Sequence, residues 1–215
     1  MEKLFLSVDG AMIPLVGGIW TKVKTLTIGE IQAPVLEKGE WVVHSQKHSY
    51  FSRIAEANIF RRMALVASHC QGVENAKKVA AVTDGAEWEQ GFIDFHCQNT
   101  VRILDFPHAG EHLHTIGQAV WERDDATSQA WLNEQLHDLK ANGPENVLAR
   151  IRSLHTQYPQ IKAVPDNLAY LEKRQDHMNY PEYQSQGLSI GSGAMESGNK
   201  VVVEARLKEQ GCIWR

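Results

Sequence analysis

The first third of the chain alternates apolar and polar residues in the manner of β-strands. Residues 4–8 (LFLSV) form a short apolar run, residues 21–32 (TKVKTLTIGEIQ) alternate along their length, and residues 40–46 (EWVVHSQ) follow after a proline and a glycine. A period of two sends successive side chains to opposite faces of a sheet. The pattern therefore predicts a meander of three strands.

The spacing of apolar residues changes after this meander. Residues 52–69 carry them three and four positions apart, as on one face of a helix. An apolar run at 77–85 predicts a buried strand, residues 86–97 predict a helix, and residues 99–106 predict another strand. The predicted order up to this point is β-β-β-α-β-α-β, which is typical of an α/β fold.

The rest of the chain is predicted to be helical. Helical spacing continues from residue 107 to about residue 175, with two proline-containing breaks. A glycine-rich turn at 190–194 (IGSGA) then leads into a last predicted helix over 195–211. Gly198 is a weak point of that helix, because glycine is a poor helix former.

The composition is that of an ordinary globular protein and excludes several classes. Of 215 residues, 43% are hydrophobic and 22% are charged, unlike a disordered or collagenous chain. No apolar run approaches the ~20 residues that a membrane span requires, and the first residues lack the pattern of a signal peptide. The net charge of −4 excludes binding to nucleic acid by bulk charge alone. Three cysteines without a Cys-x-x-Cys pair indicate a reducing cytoplasm.

Aspartates stand at the ends of three predicted strands: Asp9, Asp84 and Asp105. Asp9 and Asp84 each precede a glycine, so the alternative to a functional role is an ordinary Asp-Gly turn. Together with Glu196 in the last predicted helix, they could hold two Mg²⁺ or Mn²⁺ ions through oxygen ligands and leave positions open for water and phosphate. Glu196 could instead form an ion pair with Lys200, one helical turn later.

A second group of polar residues follows Asp105. His108, Glu111 and His112 match the H-x-x-E-H pattern of one class of zinc peptidases, and the two histidines would share one face of a helix. The competing interpretation is an amphipathic helix with histidines near its start. In that case we expect Asp105 to cap the free N–H groups of the helix.

Four stretches combine these residues with specific neighbours. They are residues 6–15 (LSVDGAMIPL), 80–88 (AAVTDGAEW), 103–113 (ILDFPHAGEHL) and 190–214 (IGSGAMESGNKVVVEARLKEQGCIW). In this order they resemble the catalytic portion of bacterial insertion-sequence DDE transposases of the Kra type. The last two stretches are long and specific, and the four together sample nearly the whole chain.

The resemblance implies an α/β fold with a ribonuclease-H-like mixed sheet flanked by helices. An α-helical insertion would precede the final catalytic helix. Residues 1–106 would form the first part of the core, residues 107–187 the helical insertion, and residues 188–215 the final helix of the core.

The same resemblance implies that Asp9, Asp84 and Glu196 are the catalytic acids and hold Mg²⁺ or Mn²⁺. It assigns Asp105 and His108 to an accessory Asp-x-x-His motif. Asp105 also ends a strand and therefore stays an alternative for the second acid. Because the first and fourth strands of ribonuclease-H-like sheets are adjacent, we expect the carboxyl groups of Asp9 and Asp84 to lie within roughly 10 Å of each other.

The implied function is DNA transposition, in which a mobile element is cut from DNA and joined to a target by strand transfer. The implied partners are double-stranded DNA, at transposon ends and target, and further copies of the chain, in a bacterial cytoplasm and at its nucleoid. Because the chain begins near the first catalytic strand and ends at Arg215, we expect a truncated product. The alternatives are a zinc metallopeptidase that uses His108, Glu111 and His112, a stand-alone nuclease, and a non-catalytic transposase remnant.

Basic residues gather in two places, over 47–62 and near the end of the chain. Contacts to phosphate need such local patches, although a solvated helix face would have the same composition. The candidate DNA contacts are Arg61, Arg62, Lys200, Arg206 and Lys208.

Overall fold

The computed structural model describes residues 3–15, 18–37, 39–97, 99–122 and 124–200, apart from the side chains of Glu40 and Glu196. The chain divides into two compact units, one with residues up to 102 and from 187 onward, the other with Ile103–Gln186. The end of the last predicted helix, with Arg206 and Lys208, lies outside the described residues.

The sheet is mixed and has five strands. The strands of the chain are β1 Lys3–Pro14, β2 Trp20–Ile31, β3 Val35–Glu37, β4 Glu40–Val42, β5 Ser45–Ile54, β6 Lys78–Thr83 and β7 Thr100–Leu104. The order in the sheet is β5-β2-β1-β6-β7, and β3 and β4 form a separate hairpin. β1 pairs antiparallel with β2, and β2 with β5, whereas β1 and β6 are parallel.

Helices lie on both faces of this sheet. In chain order the helices are α1 Ala57–Met63, α2 Leu65–Cys70, α3 Glu87–His96, α4 Phe106–Val120, α5 Asp125–Asn142, α6 Pro144–Gln157, α7 Ala163–Glu172, α8 Tyr180–Ser185 and α9 Gly193–Gly198. On one face, Leu6 and Leu26 of the sheet pack in a core with Phe60 of α1 and Phe92 of α3. Thr27 points to the opposite face, where its Oγ1 donates a hydrogen bond to Sδ of Met195 in α9 (3.4 Å).

Two predictions for these strands were wrong in part. The strand predicted over 4–8, with Asp9 at its end, continues to Pro14 because its pairing with β2 runs that far, so Asp9 lies within β1. The sequence also predicted one strand over 40–46 and a helix from residue 52, whereas Glu40–Val42 form β4, β5 spans Ser45–Ile54 and the first helix begins at Ala57. β5 is an edge strand, partly exposed along its length, so its own residues carry little alternation of polarity. Hydrogen bonding to β2 makes it a strand, and a pattern within one segment does not contain that pairing.

The second unit consists of α4 to α8, and its helical character is as predicted. Its core is apolar and includes Leu113, Ile151 and Leu171. Tyr180 is fully buried, and its hydroxyl donates a hydrogen bond to the carbonyl oxygen of Leu104 (3.0 Å). Within the described ranges, none of the helices has the length and apolar character needed to cross a membrane.

Candidate metal centre beside two parallel strands

The parallel pairing of β1 with β6 brings two of the predicted site residues together. Its last paired residues are Leu6 and Ala81. Asp9 lies three positions after Leu6, and Asp84 lies three positions after Ala81. The same register therefore places the two aspartates opposite each other. The two aspartates are therefore neighbours because β1 and β6 are adjacent and in this register.

The carboxyl group of Glu89, in the first turn of α3, joins these two aspartates. Ligand oxygens of Asp9, Asp84 and Glu89 all lie within 4.8 Å of one another. Two oxygens bound to one Mg²⁺ or Ca²⁺ ion at roughly 2.1–2.4 Å are separated by at most about 4.2–4.8 Å. The spacing of the three carboxyl groups thus suits a single hard cation. The separation of Asp9 and Asp84 also meets the expected limit of roughly 10 Å.

Backbone and side-chain donors fix the orientation of both aspartates. Asp9 Oδ1 accepts a hydrogen bond from its neighbour's backbone, the N–H of Gly10, and Asp9 Oδ2 accepts one from Nδ2 of the buried Asn199 (2.8 Å). Asp84 Oδ1 accepts a hydrogen bond from the N–H of Ala86 (2.8 Å). These bonds hold each carboxylate in one direction.

The glycines that follow Asp9 and Asp84 lie in different backbone conformations. Gly85 has φ of 82°, a left-handed conformation that favours glycine, so the turn interpretation holds for the backbone after Asp84. Gly10 lies within β1, and a Cβ there would come within 2.5 Å of Cδ of Lys22 on the neighbouring strand. Glycine at this second position leaves room for the Lys22 side chain, and no turn requires it there.

Glu89 is a functional candidate that the sequence patterns did not single out. It lies on the face of α3 that also buries Phe92, Ile93 and His96, and it is only 1% exposed. Neither of its carboxyl oxygens accepts a hydrogen bond from a side-chain donor group among the described residues. Burial, followed by a hydrogen bond with the carboxyl group of Asp84 and the charges of Asp84 and Asp9, raises the pKa of Glu89 to about 10. The available signal was a charged residue in an otherwise apolar stripe, at helical spacing from Phe92 and Ile93.

α9 carries Glu196 and packs against the same part of the sheet. Met195 is buried against Thr27, and Asn199, just after the helix, reaches Asp9. The backbone of Glu196 lies within α9, but its side chain is outside the described part of the chain. The alternative ion pair of Glu196 with Lys200 therefore stays a prediction. The structure therefore places the helix of the third predicted acid, and not its carboxyl group.

Asp105 and His108 belong to the second unit, where Asp105 caps a helix as expected. Asp105 precedes α4, and its Oδ2 accepts a hydrogen bond from the backbone N–H of His108 (3.3 Å). The ring of His108 is directed to Glu111, with Nδ1 3.1 Å from Oε2. The capping bond gives Asp105 a local structural role at the start of α4.

The residues of the zinc-peptidase pattern are engaged elsewhere. Nδ1 of His112 is hydrogen-bonded to Oδ1 of Asn167 (2.6 Å), and the imidazole stacks on Tyr170 with ring centres 3.9 Å apart. Burial is the main cause that lowers the pKa of His112. In the part of the chain that the structure describes, His108, Glu111 and His112 do not form a group with the spacing of metal ligands.

The candidate DNA contacts differ in exposure. Arg62 and Lys200 are exposed, whereas the guanidinium of Arg61 lies over the ring of Phe95 (5.4 Å to the ring centre). Lys47, in the same patch, forms an ion pair with Glu30 (2.9 Å). Arg62 and Lys200 are therefore the described candidates that are available to a polyanion.

Comparison with known proteins gives no relative from which a role could be transferred. No protein-family model matches the chain, and no curated protein matches it.

Proposed function

We propose that this chain is the catalytic portion of a DDE-type transposase, with a ribonuclease-H-like core that cleaves DNA and transfers the cut strand. The strand order supports this fold. Apart from the β3–β4 hairpin, the first three strands form an antiparallel meander, and the next strand, β6, lies beside β1 and parallel to it. This is the adjacency of first and fourth strands that the sequence resemblance implied.

The observation that carries the proposed activity is the meeting of Asp9 and Asp84. They are 75 positions apart along the chain, yet a carboxyl oxygen of one lies within 4.8 Å of a carboxyl oxygen of the other. Carboxylate oxygens are the ligands that Mg²⁺ and Mn²⁺ prefer. The buried oxygens of Glu89 beside them are served by no donor side chain among the residues that the structure describes, which supports a cation at this place.

In this proposal Asp9 and Asp84 hold the metal, and Glu196 of α9 is the third acid of the site. Bound Mg²⁺ or Mn²⁺ would lower the pKa of the attacking water or 3′-hydroxyl and offset charge on the phosphate. Asn199 keeps one oxygen of Asp9 in a fixed direction through its 2.8 Å hydrogen bond. Arg62 and Lys200 are the exposed cations that would contact the DNA backbone.

The test is metal-dependent nicking of supercoiled plasmid by the full chain. With Mn²⁺ or Mg²⁺ we expect nicking that EDTA abolishes. Asp9→Asn and Asp84→Asn should each lower the rate by at least about 100-fold, because each removes a charged metal ligand. Asp94→Asn is the matched control, since Asp94 lies on α3 and pairs at the surface with Arg102.

Three outcomes separate the alternatives. Joining of a labelled 3′-hydroxyl oligonucleotide to the plasmid supports transposition, whereas nicking without joining favours the stand-alone nuclease. A folded chain that shows neither activity with either ion favours the non-catalytic remnant. Nicking that survives Asp9→Asn and Asp84→Asn contradicts the proposed site.

A further inference from the structure

Glu89 has an environment that its neighbours in α3 do not explain. Its side chain is 1% exposed and lies among the apolar residues with which α3 packs on the sheet. Both carboxyl oxygens are buried, and no donor side chain or cation in the described part of the chain serves them; only the carboxyl group of Asp84 lies within hydrogen-bonding reach. One oxygen of Glu89 lies within 4.8 Å of a carboxyl oxygen of Asp9 and of one of Asp84.

We propose that Glu89 is a metal ligand, so that α3 supplies a further carboxylate to the ion held by Asp9 and Asp84. This assignment rests on the proposed function, because it concerns the same site. It adds the carboxylate of Glu89 to the three that the proposed function already names, those of Asp9, Asp84 and Glu196. The ligand is a hard divalent cation such as Mn²⁺ or Mg²⁺, because all three groups offer oxygen.

Burial without a donor is the physical reason. A buried polar group needs a partner, and a buried carboxylate needs a cation, because the interior does not replace the water that it loses. The two neighbours of Glu89 at this end of the sheet are themselves acids, so they supply no positive charge. A shared cation satisfies all three carboxyl groups at once.

The opposing explanation is that Glu89 only fills space in the core. Glutamine has nearly the same shape as glutamic acid, so a space-filling residue would tolerate Glu89→Gln without a change in metal binding. A ligand would not, because the amide lacks the negative charge that attracts the ion. The two explanations therefore differ in metal affinity and not in folding.

The experiment is calorimetric titration of the metal-free full chain with Mn²⁺, combined with thermal melting in EDTA. For Glu89→Gln we expect the Kd for Mn²⁺ to rise by at least about tenfold. Loss of a residue that only hydrogen-bonds to a metal ligand already weakens metal binding about 10–100-fold, so loss of a ligand should cost no less. The melting temperature of Glu89→Gln in EDTA should equal or exceed that of the wild type. Glu87→Gln is the matched control on the same helix turn, because Glu87 is exposed, and its Kd should stay within about twofold of the wild-type value.

Failure of this inference and failure of the proposed function give different results. If Asp9→Asn abolishes Mn²⁺ binding but Glu89→Gln binds like the wild type, Glu89 is not a ligand, whereas the metal site of the proposed function stands. If Glu89→Gln weakens binding but the wild type does not nick DNA, the metal site stands and the function fails. A wild type that binds no Mn²⁺ overturns both. If Glu89→Gln does not fold, Glu89→Asp takes its place. The aspartate side chain is one methylene shorter, so its carboxylate would no longer reach the ion. An unchanged Kd for Mn²⁺ in Glu89→Asp would therefore also overturn the assignment.

Discussion

Gly198 is the position where a single added methyl group has the clearest expected effect. A Cβ at this residue of α9 would lie 2.3 Å from Cε1 and 2.9 Å from Cδ1 of Tyr50 on β5. Carbon atoms in contact are normally about 3.5–4.0 Å apart, so the shortest approach is too close by roughly 1.2 Å or more. Gly198→Ala must therefore shift α9 away from the sheet or turn the ring of Tyr50.

Two effects of opposite sign set the magnitude. Overpacking costs about 1–3 kcal/mol, whereas alanine stabilises a helix by about 0.5–1 kcal/mol relative to glycine. Tyr50 is 36% exposed, so its ring has some room to move, which favours the lower part of the overpacking range. We expect a net destabilisation of about 1–2 kcal/mol, or a melting temperature lower by roughly 2–8 °C for a chain of this size.

Thermal melting of four variants tests this reasoning. Gly91→Ala is the matched control, since the nearest atom to a Cβ in the middle of α3 is Nη1 of Arg61 at 4.0 Å, and it should be neutral or slightly stabilising. Tyr50→Ala removes the ring, so in that background Gly198→Ala should lose its cost. A Gly198→Ala protein that melts at or above the wild type would refute the predicted overlap, and so would a cost that persists in the Tyr50→Ala background.

Three further predictions concern the core of each unit and the buried acid. Phe60→Ala should lower the free energy of unfolding by about 3–5 kcal/mol in urea titrations, because Phe60 is fully buried. Ile59→Ala is the control and should cost far less, because Ile59 is 50% exposed. Equal losses of stability in the two variants would contradict the role of burial. Tyr180→Phe should cost about 1–2 kcal/mol in the same assay, because the buried carbonyl of Leu104 loses its donor, and an unchanged stability would show that this bond contributes nothing. Because burial raises the pKa of Glu89 from 4.5 to about 10, the folded state keeps a proton that the unfolded state releases, so in EDTA stability should fall as pH rises across that range. The slope from this one proton is at most about 1.4 kcal/mol per pH unit, and Glu89→Gln should remove it from urea titrations at pH 6 to 9; an identical slope in the variant would contradict the assigned cause.

Much of the fold could be predicted because its signals are local. The alternation in β2, the apolar run of β6 and the helical spacing of α4 to α6 are properties of single segments. β5 could not be predicted in the same way, because an edge strand with partly exposed residues has no strong alternation. Its strand conformation comes from pairing with β2.

The candidate site shows the same division. Asp9 and Asp84 could be selected from the sequence, because each follows an apolar run and precedes a glycine. Glu89 could not, since acidic residues are common and favourable in the first turn of any helix. Only the packing of α3 on the sheet shows that this glutamate is buried beside two other carboxyl groups.

The sequence by itself determined most of the elements, the position of Asp84 directly after an apolar strand, and the helical nature of residues 107 to about 175. The tertiary structure decided which of these residues meet. Asp9 and Asp84 are opposite each other because β1 and β6 pair in parallel with Leu6 beside Ala81, and the same offset of three residues follows on both strands. Local patterns report how each segment exposes its own side chains, whereas a register between distant segments depends on packing that no single segment contains.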